Sequence, residues 1–250
     1  MSYLAAGDGS PILIVPAVEQ TAEWWADVGY LDLLARNHRV VIVDPMGHGR
    51  SGFAEPADMG RPEPTVGALS ALCEHEAFAS ATVWGFDGGG EYATVLARRR
   101  PDIAAKVVVA GMYLGDARQP FNEIRIDRRS VLDRLADALD AGDWAMFFDI
   151  SPWLTNAAYQ AEVRERNDPM ALAMQLRAIR DRPGGFVLPG VATFAYWGEG
   201  QPFHRANVER VEAMPISWAT LPGDRANVFA AASQVVDLVE GFLRPVNAAV

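Results

Sequence analysis

Apolar residues recur along the chain in two alternating patterns. Short unbroken runs at 11–16, 39–44, 82–84, 105–111, 191–198 and 216–221 have the continuous hydrophobicity of strands buried on both faces. Between them lie segments of helical spacing. Residues 21–36 carry Trp24, Trp25, Val28, Leu31, Leu33 and Leu34, and 65–78, 91–100, 203–213 and 227–243 repeat the theme, with Pro101 closing the third. Strands alternating with helices predict a mostly parallel sheet covered on both faces, an α/β fold. Residues 116–185 break the rhythm with charged, helix-period stretches at 128–139, 157–166 and 170–180 and no strand pattern. The expected organisation is a core of 1–114 and 187–250, interrupted at 115–186 by a helical insertion over the carboxyl edge of the sheet, where such folds bind ligands.

Composition narrows the class. Half of the 250 residues are hydrophobic and 22% are charged, the balance of a soluble globular chain with a sizeable core. The net charge of −10 argues against nucleic acid and anionic membranes as partners. A single cysteine, Cys73, excludes an internal disulfide and a multi-thiolate metal site, and no cofactor motif is present. With no signal-peptide pattern and no long apolar window, a cytoplasmic location is the expectation. A small molecule is the expected substrate, and a homodimer is left open.

The sharpest local feature is Gly85-Phe86-Asp87-Gly88-Gly89, set between a strand pattern and a helix pattern. Glycines on both sides of one polar residue fit a strained, crowded strand-to-helix turn. Asp44-Pro-Met-Gly-His-Gly-Arg-Ser51 is a second Gly-rich turn, Pro16-Ala-Val-Glu19 follows the first strand, and 196–203 and 221–229 follow the last two.

In this order these features resemble the α/β-hydrolase fold with a helical cap, over nearly the whole chain, although the family's N-terminal strands appear truncated. The resemblance implies that Asp87 occupies the nucleophile elbow. It also implies that the amides of Gly88 and of the Ala17–Val18 loop form an oxyanion hole, that the acid position falls on Gln201, and that the histidine position falls on Arg225, or on Asp224 if the loop is shifted by one. Such a triad is degenerate. Arginine stays protonated and cannot activate water, and Gln201 cannot balance an imidazolium. Glu199 and His204 are the candidate replacements.

Of the other histidines, His38 and His75 read as surface residues and His48 as structural. Because the histidine position faces the elbow in this fold, Asp87 and Arg225 are expected to form an ion pair. Trp144, Phe147, Phe148, Trp153 and Tyr159 are candidates for lining the cap side of an apolar pocket. Trp84, Trp197 and Trp218 are expected in the core or at the pocket floor.

The leading functional expectation is an enzyme acting on an apolar, carbonyl-bearing small molecule by lyase, isomerase or cyclase chemistry at Asp87. The alternatives are an Asp-nucleophile hydrolase of the dehalogenase or epoxide-hydrolase type and a non-catalytic ligand-binding member of the fold.

Overall fold

A computed structural model describes residues 1–52, 62–115, 125–151, 154–181 and 186–244. Seven strands form the central sheet in the order β1-β3-β2-β4-β5-β8-β9. The predicted runs become β2 (Ser10–Val15), β3 (His38–Val43), β4 (Ala81–Phe86), β5 (Ala104–Ala110), β8 (Ala192–Gly198) and β9 (Ser217–Leu221). All of these pair in parallel. The sheet also has β1 (Tyr3–Ala6), antiparallel to β3, which the sequence pattern did not reveal because four half-exposed residues show no clear period.

Helices α1 (Ala22–Asp27) and α2 (Tyr30–Leu34) replace the single helix expected over 21–36. Gly29, at φ 102°, breaks the run, since positive φ cannot be accommodated in a right-handed helix. Helices α3 (Pro62–His75) and α4 (Gly88–Arg99) pack on the opposite face of the sheet, together with Val211 of α9 (His204–Val211). The terminal helix likewise divides at Ala231 into α10 (Arg225–Ala230) and α11 (Ala232–Leu243).

The insertion between β5 and β8 contains α5 (Val131–Asp140), α6 (Trp144–Ile150), α7 (Ala157–Arg166) and α8 (Pro169–Asp181). A two-stranded hairpin, β6 (Arg125–Ile126) with β7 (Arg129–Ser130), precedes them. The hairpin contradicts the expectation of no strand here; its turn residues Asp127 and Arg128 both take positive φ.

The core has a layer on each side of the sheet, and the insertion joins one of them. Leu132, Leu135, Phe147, Leu154, Val163, Leu172 and Leu176 belong to the same buried cluster as Trp25, Trp84, Phe86 and Phe229. Tyr159 of α7 packs 4.6 Å, ring to ring, from Trp24 of α1. The insertion is therefore anchored by apolar burial as well as by polar contacts.

Three smaller expectations change. His38 is buried, 2.9 Å from Glu240 of α11, because the start of β3 is covered by the last helix. Trp84 and Trp197 are core residues, but Trp218 on edge strand β9 is 40% exposed and stacks on Trp197. Trp153 lies outside the described residues.

Candidate active site

The turn after β4 is as tight as its glycines imply. A Cβ on Gly85 would lie 2.3 Å from the Gly89 carbonyl oxygen, and one on Gly89 would lie 2.0 Å from the Val15 carbonyl oxygen. Only hydrogen fits at either position, so helix α4 can start directly against the end of β2. Asp87 sits at the apex with φ 48° and ψ −117°, a conformation costing on the order of 1–3 kcal/mol that its neighbours must enforce. The Asp87 N–H donates to the Ala110 carbonyl at 2.7 Å, and the Asp87 carbonyl accepts from Gly90 at 2.9 Å. The side chain caps nothing in α4 and is left for other work.

That work is shared with Arg225, the first residue of α10. The guanidinium Nη2 lies 2.8 Å from Asp87 Oδ2, so the expected ion pair is present. The same nitrogen also contacts Oε1 of Glu19, a partner the sequence reading did not assign. Arg225 is 4% exposed and is flanked by the rings of Phe86 and Tyr159, at 5.6 and 5.8 Å. Burial alone would weaken its proton affinity. The charges of Glu19 and Asp87, with the Tyr159 oxygen beside them, outweigh this and hold the guanidinium firmly protonated.

Glu19 is braced from the insertion. The Tyr159 hydroxyl donates to Glu19 Oε1 at 2.9 Å and accepts from Gln20 Nε2 at 2.9 Å. Gln20 Oε1 in turn accepts from the Trp25 indole at 3.0 Å and from the Ala17 amide at 3.2 Å. Asn167, just after α7, donates to the Glu19 carbonyl at 2.8 Å and meets His48 Nδ1 at 2.9 Å. One helix of the insertion thus holds both ends of Glu19.

Asp87 differs from its partners in access. Its side chain keeps 38% of its surface open, against 9% for Glu19. The surrounding protein nonetheless desolvates the carboxylate. Desolvation therefore raises the Asp87 carboxyl above the usual range; Arg225 opposes the rise and the Glu19 charge adds to it.

The oxyanion-hole expectation is half corrected. The Ala17 amide is consumed by Gln20 and is not available to a ligand. The amides of Val18 and Gly88 make no hydrogen bond among the described residues. The two residues are neighbours, since a Cβ on Gly88 would approach Val18 Cγ1 to 3.3 Å.

The remaining candidates are engaged elsewhere. Gln201 is buried, accepts from Gly198 N–H at 3.0 Å and donates to the Gly111 carbonyl at 3.0 Å. It staples the turn after β8 and offers a ligand nothing. Glu199 is exposed and accepts from the Thr220 hydroxyl at 3.0 Å. His204 Nδ1 accepts from the Trp197 indole at 3.1 Å. All four histidines are described, and none hydrogen-bonds Asp87 or Arg225. Trp144 stacks on Phe148 within the insertion. A groove of about 480 Å³ beside it, lined by Phe148, Ala157, Gln160, Ala161, Arg164 and Glu165, contains no residue of the Asp87 cluster.

The Gly-His-Gly turn is structural and sensitive to acid. Asp44 holds it by accepting from Ala22 and Arg50 amides at 2.8 and 2.9 Å. Burial lowers the His48 pKa from 6.5 to about 4, against the opposing hydrogen bond to Asn167. The folded protein keeps this ring neutral while the unfolded chain protonates it below pH 6.5. Stability is thus lost as pH falls from 6.5 towards 4. Between pH 7 and 5 the group is worth roughly 2 kcal/mol. Urea unfolding should show His48→Gln losing that much less than the parent over this interval; equal losses would remove His48 from the account.

A family model described as the alpha/beta hydrolase fold matches residues 10–143, more than half of the chain. No curated protein matches by sequence. Among solved structures, the chain is similar to the bottromycin epimerase BotH in complex with bottromycin A2, at 20% identity and a TM-score of 0.78, covering 97% of this chain and 94% of that one. It is similar to a thermophilic esterase from Thermogutta terrifontis at 16% identity and 0.78, covering 97% and 92%. An epoxide hydrolase from Bacillus megaterium matches at 16% and 0.72, covering 97% and 96%. These likenesses are of fold, and they agree with the parallel sheet, the elbow and the family match: the chain belongs to the alpha/beta hydrolase fold family.

Proposed function

We propose that this protein is an enzyme that moves a proton at the carbon beside a carbonyl group of an apolar small molecule. The observation that carries the reading is the partner of Asp87, which is the guanidinium of Arg225 where a triad would supply an imidazole. A carboxylate so placed cannot draw on a neighbouring base to activate water. It can itself accept a proton, and a raised pKa brings it closer to the affinity such a base needs.

In this reading the substrate carbonyl oxygen lies against the Val18 and Gly88 amides. Asp87 takes the α-proton, the electron pair of the C–H bond moves into the carbonyl, and the two amides stabilise the resulting enolate oxygen. Return of the proton to the other face or to another carbon gives an isomerase, and loss of a β-substituent gives a lyase. The insertion serves as a cap that excludes water from the enolate. That one structure of this fold is an epimerase provides a precedent for such chemistry.

The ester route of a hydrolase needs a base for water. His204 bonds Trp197 and Glu199 bonds Thr220, and neither hydrogen-bonds Asp87 among the described residues, which favours proton transfer. A panel of carbonyl compounds incubated with the protein in heavy water tests the reading. Proton NMR should show enzyme-dependent loss of one α-proton signal, and ¹⁸O from labelled water should not enter Asp87. Label in Asp87 without α-exchange would replace this reading with ester hydrolysis. Binding with neither label would replace it with a non-catalytic role.

A further inference from the structure

The cluster behind Asp87 holds two carboxylates and one guanidinium, and they are not equivalent. Glu19 contacts Arg225, receives the Tyr159 hydroxyl at 2.9 Å and is 9% exposed at its side chain. Asp87 has Arg225 as its charged partner and keeps an open side. Both contacts fall on the same guanidinium nitrogen, Nη2, so the two anions share one edge of the cation.

We propose that Glu19 is a positioning residue that competes with Asp87 for Arg225, so that Asp87 binds a proton more firmly than a fully paired carboxylate does. One cation cannot neutralise two anions, and the cluster carries an excess negative charge that a single proton removes. Glu19 is held on two sides, by Arg225 and by the Tyr159 hydroxyl. Asp87 has only the shared contact with Arg225, and its side chain is the more open of the two.

The other charged and titratable groups around the cluster do not change the outcome. Tyr159 is held protonated well above its usual range by burial. Asp224, adjacent in sequence, is occupied as the N-cap of α10, accepting from Asn227 N–H at 3.0 Å, with the Thr155 hydroxyl on its second oxygen. His48 reaches Glu19 only through Asn167 and the Glu19 main chain.

The catalytic consequence rests on the reading of Asp87 as the proton carrier; the coupling itself does not. It makes α7 part of the active site's electrostatics, because Tyr159 from the insertion holds Glu19 beside Arg225. The two sites titrate as a pair, and both must be observed.

Carboxyl ¹³C NMR of aspartate- and glutamate-labelled protein, with Asp87 assigned by Asp87→Asn, reads this without any substrate. In Glu19→Gln the Asp87 midpoint should fall by about one pH unit, the effect of removing a like charge within about 4–6 Å. In Tyr159→Phe, Glu19 keeps its charge but loses its donor, so the Asp87 midpoint falls by less. An unchanged Asp87 midpoint in a folded Glu19→Gln protein overturns the proposal. If that variant does not fold, an unchanged midpoint in Tyr159→Phe overturns it instead. Shifted midpoints without any α-exchange would sink the proposed reaction and leave this coupling standing.

Discussion

Replacing Arg225 with methionine should cost the fold about 3–5 kcal/mol at neutral pH, the effect of leaving buried charge without its partner. Methionine keeps apolar bulk between the rings of Phe86 and Tyr159, so the loss reads charge more than volume. Most of it falls on Glu19, which is 9% exposed, because the open side of Asp87 lets water recover part of its hydration. The sign with pH follows from the carboxylates. Asp87 must be ionised for its share of the penalty to be complete, and its carboxyl lies above the usual range, so its protonation shrinks the difference between variant and parent as pH falls. Removing the second charge should do the same without acid. The Glu19→Gln/Arg225→Met double variant is expected to be more stable than Arg225→Met alone, and urea unfolding of all four proteins of the cycle measures the coupling. Additive losses would show that Arg225 acts through packing and that the ion pairs contribute little.

Much of this site was legible in the sequence, and the part that was not has a common cause. The elbow shows itself because Gly85, Gly88 and Gly89 flank one polar residue within five positions, although the crowding of Gly89 comes from the distant Val15 carbonyl. The sheet shows itself because strands buried on both faces are continuous apolar runs. The Asp87–Arg225 pair was reachable because the resemblance places the loop after β9 against the elbow.

Glu19, Gln20 and Tyr159 had no such local mark. Their hydrogen bonds join positions 139 and 140 residues apart, through a helix whose packing angle no periodicity encodes. Glu19 enters the sequence only as the end of the loop after the first strand, and Tyr159 as one aromatic among several in the insertion. An available sign was that an acid and an amide lie within five residues of the end of a buried strand, where unsatisfied polar groups are expensive. The same limit explains Ala17. Its amide is in the expected loop, but whether it is free depends on where the Gln20 side chain turns. His38 was misjudged for a similar reason, since its cover is Glu240 on the last helix.

Asp87→Asn should lower the rate of α-proton exchange by about 10²–10⁴-fold, the usual contribution of a positioned general base, while ligand affinity stays close to that of the parent. Asparagine has nearly the same shape and cannot take a proton, so the elbow and the Val18 and Gly88 amides survive the change. Arg225 then belongs to Glu19 alone, and no buried carboxylate is orphaned. Asp87→Ser tests the same site from the other side. In an ordinary member of this family a serine here would be a nucleophile, but its hydroxyl is reactive only when a base accepts its proton. Arg225 is held more firmly protonated than usual and cannot be that base. The serine variant should therefore gain no measurable hydrolysis of aryl esters above the parent, even though elbow and amides are retained. Ester turnover appearing in Asp87→Ser would mean that a base reaches position 87 after all, and the proton-transfer reading would lose the feature on which it depends. Full exchange activity in Asp87→Asn would count against it as directly, because no other carboxylate of the cluster has an open side from which to reach a ligand.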